Sequence, residues 1–455
     1  MRKSTIITTA FALALIPAAL CAQQGGARIP ATLTLEEALG IARENNPAYR
    51  KTLNDIGVAA AGVRAGWGRF LPSASSSMSW GGSQSTNYTT TDVFGQPLSE
   101  PQGITTRGSN VSQNVSLGFT LFDGGRMFRD YARARASERQ TEAVVRAQMV
   151  TVEANVTRQY YAAKRSDLLA SVEQRNLASA RDRLDRTEQL FRLAGSTQVD
   201  LLGARRDVVQ AEQRLADAES EAHKARLQLQ ETLGVSGSFE FQLTGDLPAA
   251  FDPATLNADA IVAQAVGSSP AVLQSQAAAE QARQSAASAR GSRWPTVNGS
   301  VGYGRSGSER GYGAIGDINP RNRSFSFGVS FSYPIFQRFG TSQQIAQAEA
   351  SADDAAQDLR QARLQAERET RAALVDLEKA FRGLRTAEEV AGIVAQRLEL
   401  AEELFRTGAA SMNFQQLQLM VEDNANAQRQ VVEARVAFVN ARVQLEQILG
   451  APLGR

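Results

Sequence analysis

Ser324-Phe325-Ser326-Phe327-Gly328-Val329-Ser330-Phe331-Ser332-Tyr333 alternates large apolar and small polar residues without a break. In an extended strand that period puts every large residue on one face and every serine or glycine on the other. The polar face carries neither charge nor bulk. A strand of a soluble sandwich also alternates, so this stretch alone decides little; three more like it do. Residues 114–121 alternate in the same way, Ala74, Met78 and Trp80 interleave with Ser73, Ser75, Ser77 and Ser79, and Val297, Val301 and Tyr303 interleave with Asn298, Gly302 and Gly304. Four strands of about ten residues, apolar on one side and minute and polar on the other, fit a transmembrane β-sheet with lipid outside and water inside.

The rest of the chain is helical. Residues 126–193 contain neither proline nor glycine, and residues 341–406 contain only Gly383 and Gly392. At 1.5 Å per residue each stretch reaches about 100 Å. Shorter helices are expected over 34–70, 197–233, 257–293 and 411–449. Residues Leu201, Ala204, Val208, Ala211, Leu215, Ala218, Ala222, Ala225 and Leu229 recur at spacings of three and four, and so do Leu417, Met420, Asn424, Ala427, Val431, Ala434, Phe438, Ala441 and Leu445. That is a heptad seam, broken only by Asn424, and its alanines let helix axes approach closely.

The two halves repeat one another. Asn46-Pro47 is echoed by Ser269-Pro270, Leu121-Phe122 by Ile335-Phe336, Leu190-Phe191-Arg192 by Leu404-Phe405-Arg406, and Leu233-Gly234 by Leu449-Gly450. The expected plan is a first repeat over 33–234 with a hairpin at 73–121, a linker over 235–254, and a second repeat over 255–450 with a hairpin at 296–335. Long polar loops are expected over 86–108 and 305–323. A period this long marks a duplicated domain.

Four strands cannot close. An open sheet edge in lipid leaves backbone groups unpaired at several kcal/mol each. Two copies would make an eight-stranded barrel, a size that side chains fill; three would make twelve strands with room for a lumen. The fold class expected is therefore an α+β membrane protein: a trimeric, 12-stranded barrel continued by a long barrel of coiled-coil helices. Walls wetted on both sides also account for a chain only 43% hydrophobic.

Residues 1–22 read as a signal peptide: Arg2 and Lys3, an apolar run over 6–20, then small residues. Without Arg2 and Lys3 the formal charge falls from +2 to about zero. Cys21, the single cysteine, lies in that segment; lipidation there is disfavoured by the bulky Leu20. Enzyme chemistry finds no footing. His223 is the one histidine and sits beside a seam residue, no Cys/His cluster exists for zinc, and Gly311-Tyr312-Gly313-Ala314-Ile315-Gly316 fits a dinucleotide pattern but precedes no helix. No cofactor is expected. Arginine-rich stretches such as 133–139 alternate with acids as on a solvated face, so nucleic acid is not an expected partner.

Taken in order and in duplicate, the landmarks resemble those of the TolC-like outer-membrane efflux protein family: Leu33-Thr34-Leu35-Glu36-Glu37-Ala38-Leu39 with Asn46-Pro47, Leu71-Pro72, Leu121-Phe122-Asp123-Gly124-Gly125, Gly195 with Val199-Asp200-Leu201-Leu202, and Leu233-Gly234. The resemblance covers about 33–450. It implies a homotrimer in the cell outer membrane, a helical tunnel across the periplasm, and partnership with a periplasmic adaptor and an inner-membrane pump. It places the linker, with Phe239-Glu240-Phe241 and Leu247-Pro248, near the tunnel's equator. It makes the turns at Gly195, Ser196 and Thr197 and at Gly408, Ala409, Ala410 and Ser411 the adaptor-docking tips. It makes Asp200, and Gln415 and Gln416 in the second repeat, the lumen-gate positions; with one acid per copy there, strong cation selectivity is not expected.

The function expected is passive exit for a tripartite efflux pump. An exit duct for type I protein secretion is the alternative. An envelope coiled-coil scaffold without a pore fits less well, since a solid interior calls for bulky residues on the strand polar faces. A periplasmic adaptor would need neither duplicated hairpins nor lipid-type strands.

Overall fold

The computed structural model describes residues 30–91, 94–193, 195–237, 240–406 and 414–453. The expected leader with Cys21, the tip residues Gly408, Ala409, Ala410 and Ser411, and Phe239 lie outside them.

The two halves have matching parts. In the first, β1 (Thr32–Leu33) precedes α1 (Leu35–Asn45), α2 (Pro47–Gly68), β2 (Ser73–Thr91), β3 (Pro97–Phe122), α3 (Arg126–Arg192) and α4 (Gln198–Leu233). A short β4 (Gln242–Leu243) follows, and then α5 (Ala258–Ser268), α6 (Pro270–Arg290), β5 (Thr296–Arg310), β6 (Asn322–Ser332), α7 (Gly340–Arg406) and α8 (Phe414–Leu449). Both long helices have 67 residues, and both return helices have 36. Among the described residues no helix is long and apolar enough to cross a membrane.

The leading helices are broken where a single helix was expected over 34–70 and 257–293. Pro47 and Pro270 start α2 and α6, and each lacks the N–H that a continuing helix would need from it. Asn46 Oδ1 instead caps α2 by accepting from Ala48 N at 3.0 Å and Tyr49 N at 3.1 Å, while its Nδ2 donates to Thr232 O at 2.8 Å. The break thereby clasps the end of α4. Gly234, at φ +74°, closes the clasp: a Cβ there would lie 2.5 Å from Asn45 O. The second half repeats the device, with Ser269 capping α6 and Gly450, at φ +68°, against Pro270.

The hairpins are longer than expected. β2 has 19 residues and β3 has 26, so most of the segment read as a loop over 86–108 is strand, paired from Ser83↔Gly108 to Tyr88↔Gly103. In the second half the strands end at Arg310 and resume at Asn322. The chain re-enters helix through left-handed residues in both halves: Gly124 (φ +73°) and Gly125 (φ +79°) before α3, Arg338 (φ +48°) and Phe339 (φ +64°) before α7. The non-glycine pair adopts a conformation that costs roughly 1–2 kcal/mol per residue.

Three cores hold the helices. The largest lies at mid-height of α3, where Leu33, Ala38, Ala42, Val152, Val156, Leu229, Leu233, Phe241 and Leu243 are buried together. There β1 and β4 pair in parallel, and Tyr160 Oη donates to Leu33 O at 3.1 Å and to Thr244 O. The second repeat has its own core around Phe438, Leu377 and Leu445. A third, smaller one joins Leu177 and Ala180 of α3 to Ala211 of α4. Asn424, the polar break in the seam, has its Oδ1 buried without a hydrogen-bond partner.

Candidate functional site: the two faces, the margins and the tip

The four long strands form one antiparallel sheet in the order β2-β3-β5-β6. Its register sorts the side chains by face. Across the sheet run the rows Ser75–Ser116–Gly302–Ser326 and Ser77–Asn114–Gly304–Ser324. Serine hydroxyls join across strands on this face, Ser75 to Ser116 and Ser79 to Ser112, both at 2.8 Å. On the opposite face run Ala74–Leu117–Val301–Phe327 and Ser76–Val115–Tyr303–Phe325, with Gly299–Val329 and Val297–Phe331 nearer the helices. Phe327 is 81% exposed and Ile335, just past β6, is 89% exposed. Trp294, Phe336 and Phe339, between the strands and the helix ends, are exposed as well.

The margins of the chain line up. In the half next to the sheet α2 packs on α3, α3 on α6, and α6 on α7; in the far half α4 packs on α3, α3 on α8, and α8 on α7. One margin therefore consists of β2, α2 and α4, and the other of β6 and α7. Both carry exposed apolar residues at heptad-like spacing: Val199, Leu202 and Val209 on α4, and Val390, Ile393, Leu400 and Leu404 on α7. His223 is exposed on α4.

The seam between the repeats, α3 against α8, is bridged by charge and amide. Arg165 pairs with Glu433 at 3.2 Å, the buried Glu173 with Arg429 at 2.5 Å, and Arg158 bonds Gln447. Nearer the tip, Asp207 of α4 pairs with Arg206 at 2.8 Å and accepts from Gln418 of α8 at 3.3 Å. Burial pulls the Arg183 guanidinium below its ordinary value, against the opposing pull of Asp207 and Glu402. Sequence reasoning missed this polar group; its members flank the seam positions, and only the fold brings α4 and α8 together there.

At the described tip Gly195 N donates to Leu190 O at 2.8 Å, closing the end of α3. Thr197 caps α4. Its Oγ1 accepts from Asp200 N at 3.2 Å, and Asp200 Oδ2 accepts from Thr197 N at 3.1 Å, Thr197 Oγ1 at 2.6 Å and Ser196 Oγ at 3.4 Å. This is a capping box, and those hydrogen bonds from Thr197 hold the Asp200 carboxyl below its usual range. The spacing Thr197-x-x-Asp200 carries that signature in the sequence itself. Gln415 and Gln416 lie exposed in the first turn of α8.

Comparison with known proteins agrees with this geometry. The family described as Outer membrane efflux protein matches residues 38–235 and 261–451. Among solved structures, the chain resembles CusC (TM-score 0.74, 18% identity, 92% of each chain covered). It also resembles the CmeC outer membrane channel of Campylobacter jejuni (0.71, 16%, 91% of this chain and 85% of that one). The outer membrane protein VceC of Vibrio cholerae aligns over 92% of this chain and 97% of its own (0.68, 15%). Among curated protein sequences none is a match. The chain belongs to the outer membrane efflux protein family, whose members are channels and not enzymes.

Proposed function

We propose that this outer membrane efflux protein closes with two further copies into a 12-stranded barrel and a helical tunnel, and serves as the passive exit of a tripartite efflux pump. The observation that carries this reading is the pair of unlike margins. The β2–α2–α4 margin of one copy meets the β6–α7 margin of the next, which pairs the sheet edges that lipid does not tolerate open and covers the apolar residues of α4 and α7. Repetition of one unlike contact closes a ring. The apolar sheet face then meets outer-membrane lipid and the Ser/Gly/Asn face lines water. The helices extend into the periplasm. The tips at Gly195, Ser196 and Thr197, and at Gly408, Ala409, Ala410 and Ser411, dock the periplasmic adaptor that joins the duct to an inner-membrane pump.

Asp200, with Gln415 and Gln416, stands at the gate. Its capping role and its charge are separable: asparagine keeps an acceptor for Thr197 and removes the charge. In planar bilayers the purified protein is expected to form a large, steady pore, and Asp200→Asn to shift permeability toward anions while the tip stays folded. Absence of conductance from three-copy, detergent-purified protein would refute the duct. An unchanged permeability ratio in the variant would remove Asp200 from the gate and leave it a helix cap.

A further inference from the structure

We propose that Arg305 and Arg323 form a binding site for the phosphate of an outer-leaflet glycolipid. The inference rests on the outer-membrane reading above and adds a ligand to it. The two residues are direct cross-strand partners in β5 and β6. Like charges placed opposite one another weaken a sheet. Neither arginine makes an ion pair among the described residues.

Their position explains what the second charge is for. Arg305 and Arg323 lie on the apolar face, in the row immediately beyond Tyr303–Phe325; the same row continues through Gln113 and Met78, both neutral. From Phe325 to Tyr333, just past β6, the apolar face spans eight steps, about 27 Å along the strand and about 21 Å once tilted, close to the height of an outer-membrane barrel's lipid band. The arginine pair therefore sits where hydrocarbon gives way to headgroups on the loop side. The site is also built. Residues 311–321 fold back over this face: Ala314 N donates to Ser109 Oγ at 3.0 Å, and Gln113 Nε2 donates to Ile318 O at 2.9 Å. Asn319 Oδ1 accepts from Arg305, which orients the guanidinium, and Arg305 Nε is buried with no partner. The loop's acid, Asp317, forms an ion pair with neither arginine; its Oδ1 accepts from Asn319 N at 2.8 Å. Arg323 is exposed. Two guanidinium groups, one fixed and one free, at the boundary of an apolar face suit a ligand that joins phosphate to acyl chains.

The test is native mass spectrometry of the intact detergent-extracted protein incubated with bis-phosphorylated lipid A, the same lipid dephosphorylated, or inorganic phosphate. Wild type is expected to retain the phosphorylated lipid preferentially, with retention falling about fivefold in Arg323→Gln and further in Arg305→Gln/Arg323→Gln. Millimolar inorganic phosphate should not displace it. Equal retention by wild type and both variants, equal retention of the two lipids, or displacement by free phosphate would each overturn the proposal. Arg323→Gln, exposed and outside the loop's hydrogen bonds, keeps the test valid if the double variant fails to assemble. Wild-type protein that stays monodisperse without detergent would instead reject the outer-membrane reading itself.

Discussion

Gly234 shows how much one residue settles. Its left-handed backbone and its approach to Asn45 O exclude any side chain. Gly234→Ala forces the α1–α2 break away from the end of α4 and strands the Asn46 bond to Thr232 O. We expect a loss of roughly 2–4 kcal/mol, measured as a lowered denaturation midpoint, with far less from an alanine at Gly40, which has open space around it. The sequence already displayed Asn46-Pro47 and Leu233-Gly234 as recurring landmarks. It did not disclose that they are two halves of one clasp, because their partnership spans 186 residues and no local period encodes it. Asp200 teaches the converse lesson. Its capping box was legible in four consecutive residues, while family resemblance drew attention to its charge.

At the scale of elements, pattern was readable wherever burial imposed one. Residues 324–333 alternate because one face is apolar, and the strand is there. Over 86–89 and 102–106 Tyr88 and Ile104 are the only large apolar residues among threonine, asparagine, glutamine and glycine, so the pairing continues with no period to announce it. The small β1–β4 pair was equally silent, since two residues per strand carry no pattern. Tyr160 anchors that pair to α3 by donating to Leu33 O and Thr244 O. Tyr160→Phe leaves both carbonyls without this donor and should destabilise the core around β1 and β4 by about 1–3 kcal/mol, seen as faster amide exchange in those strands. Burial, followed by the nearby Tyr161 and Glu37, pushes the Tyr160 phenol up to about 12. The sign follows: a folded value above the ordinary tyrosine value means the contribution is intact below about pH 10 and fades as pH rises toward 12. Alkaline titration should therefore loosen β1 and β4 in wild type and not further in Tyr160→Phe.

At the scale of the whole molecule, the proposed ring depends on side chains that the single chain leaves exposed. Val209 of α4 is 64% exposed and Leu400 of α7 is 63% exposed, one on each margin. Val209→Glu or Leu400→Glu should leave the secondary structure of the chain intact and weaken assembly at least about tenfold, because the charge would be buried at every contact. Mass photometry in detergent reads this directly; an unshifted particle mass in both variants would place the contact elsewhere. The margins are unlike, and that has a genetic consequence. A chain spoiled on α7 alone still offers a sound α4 face, so it is recruited into rings made with healthy chains and ruins whichever it enters. In a cell carrying one good and one damaged gene copy, most assemblies would hold a faulty member. Such an allele would behave as dominant, whereas one that abolishes the chain outright would be masked by its healthy counterpart.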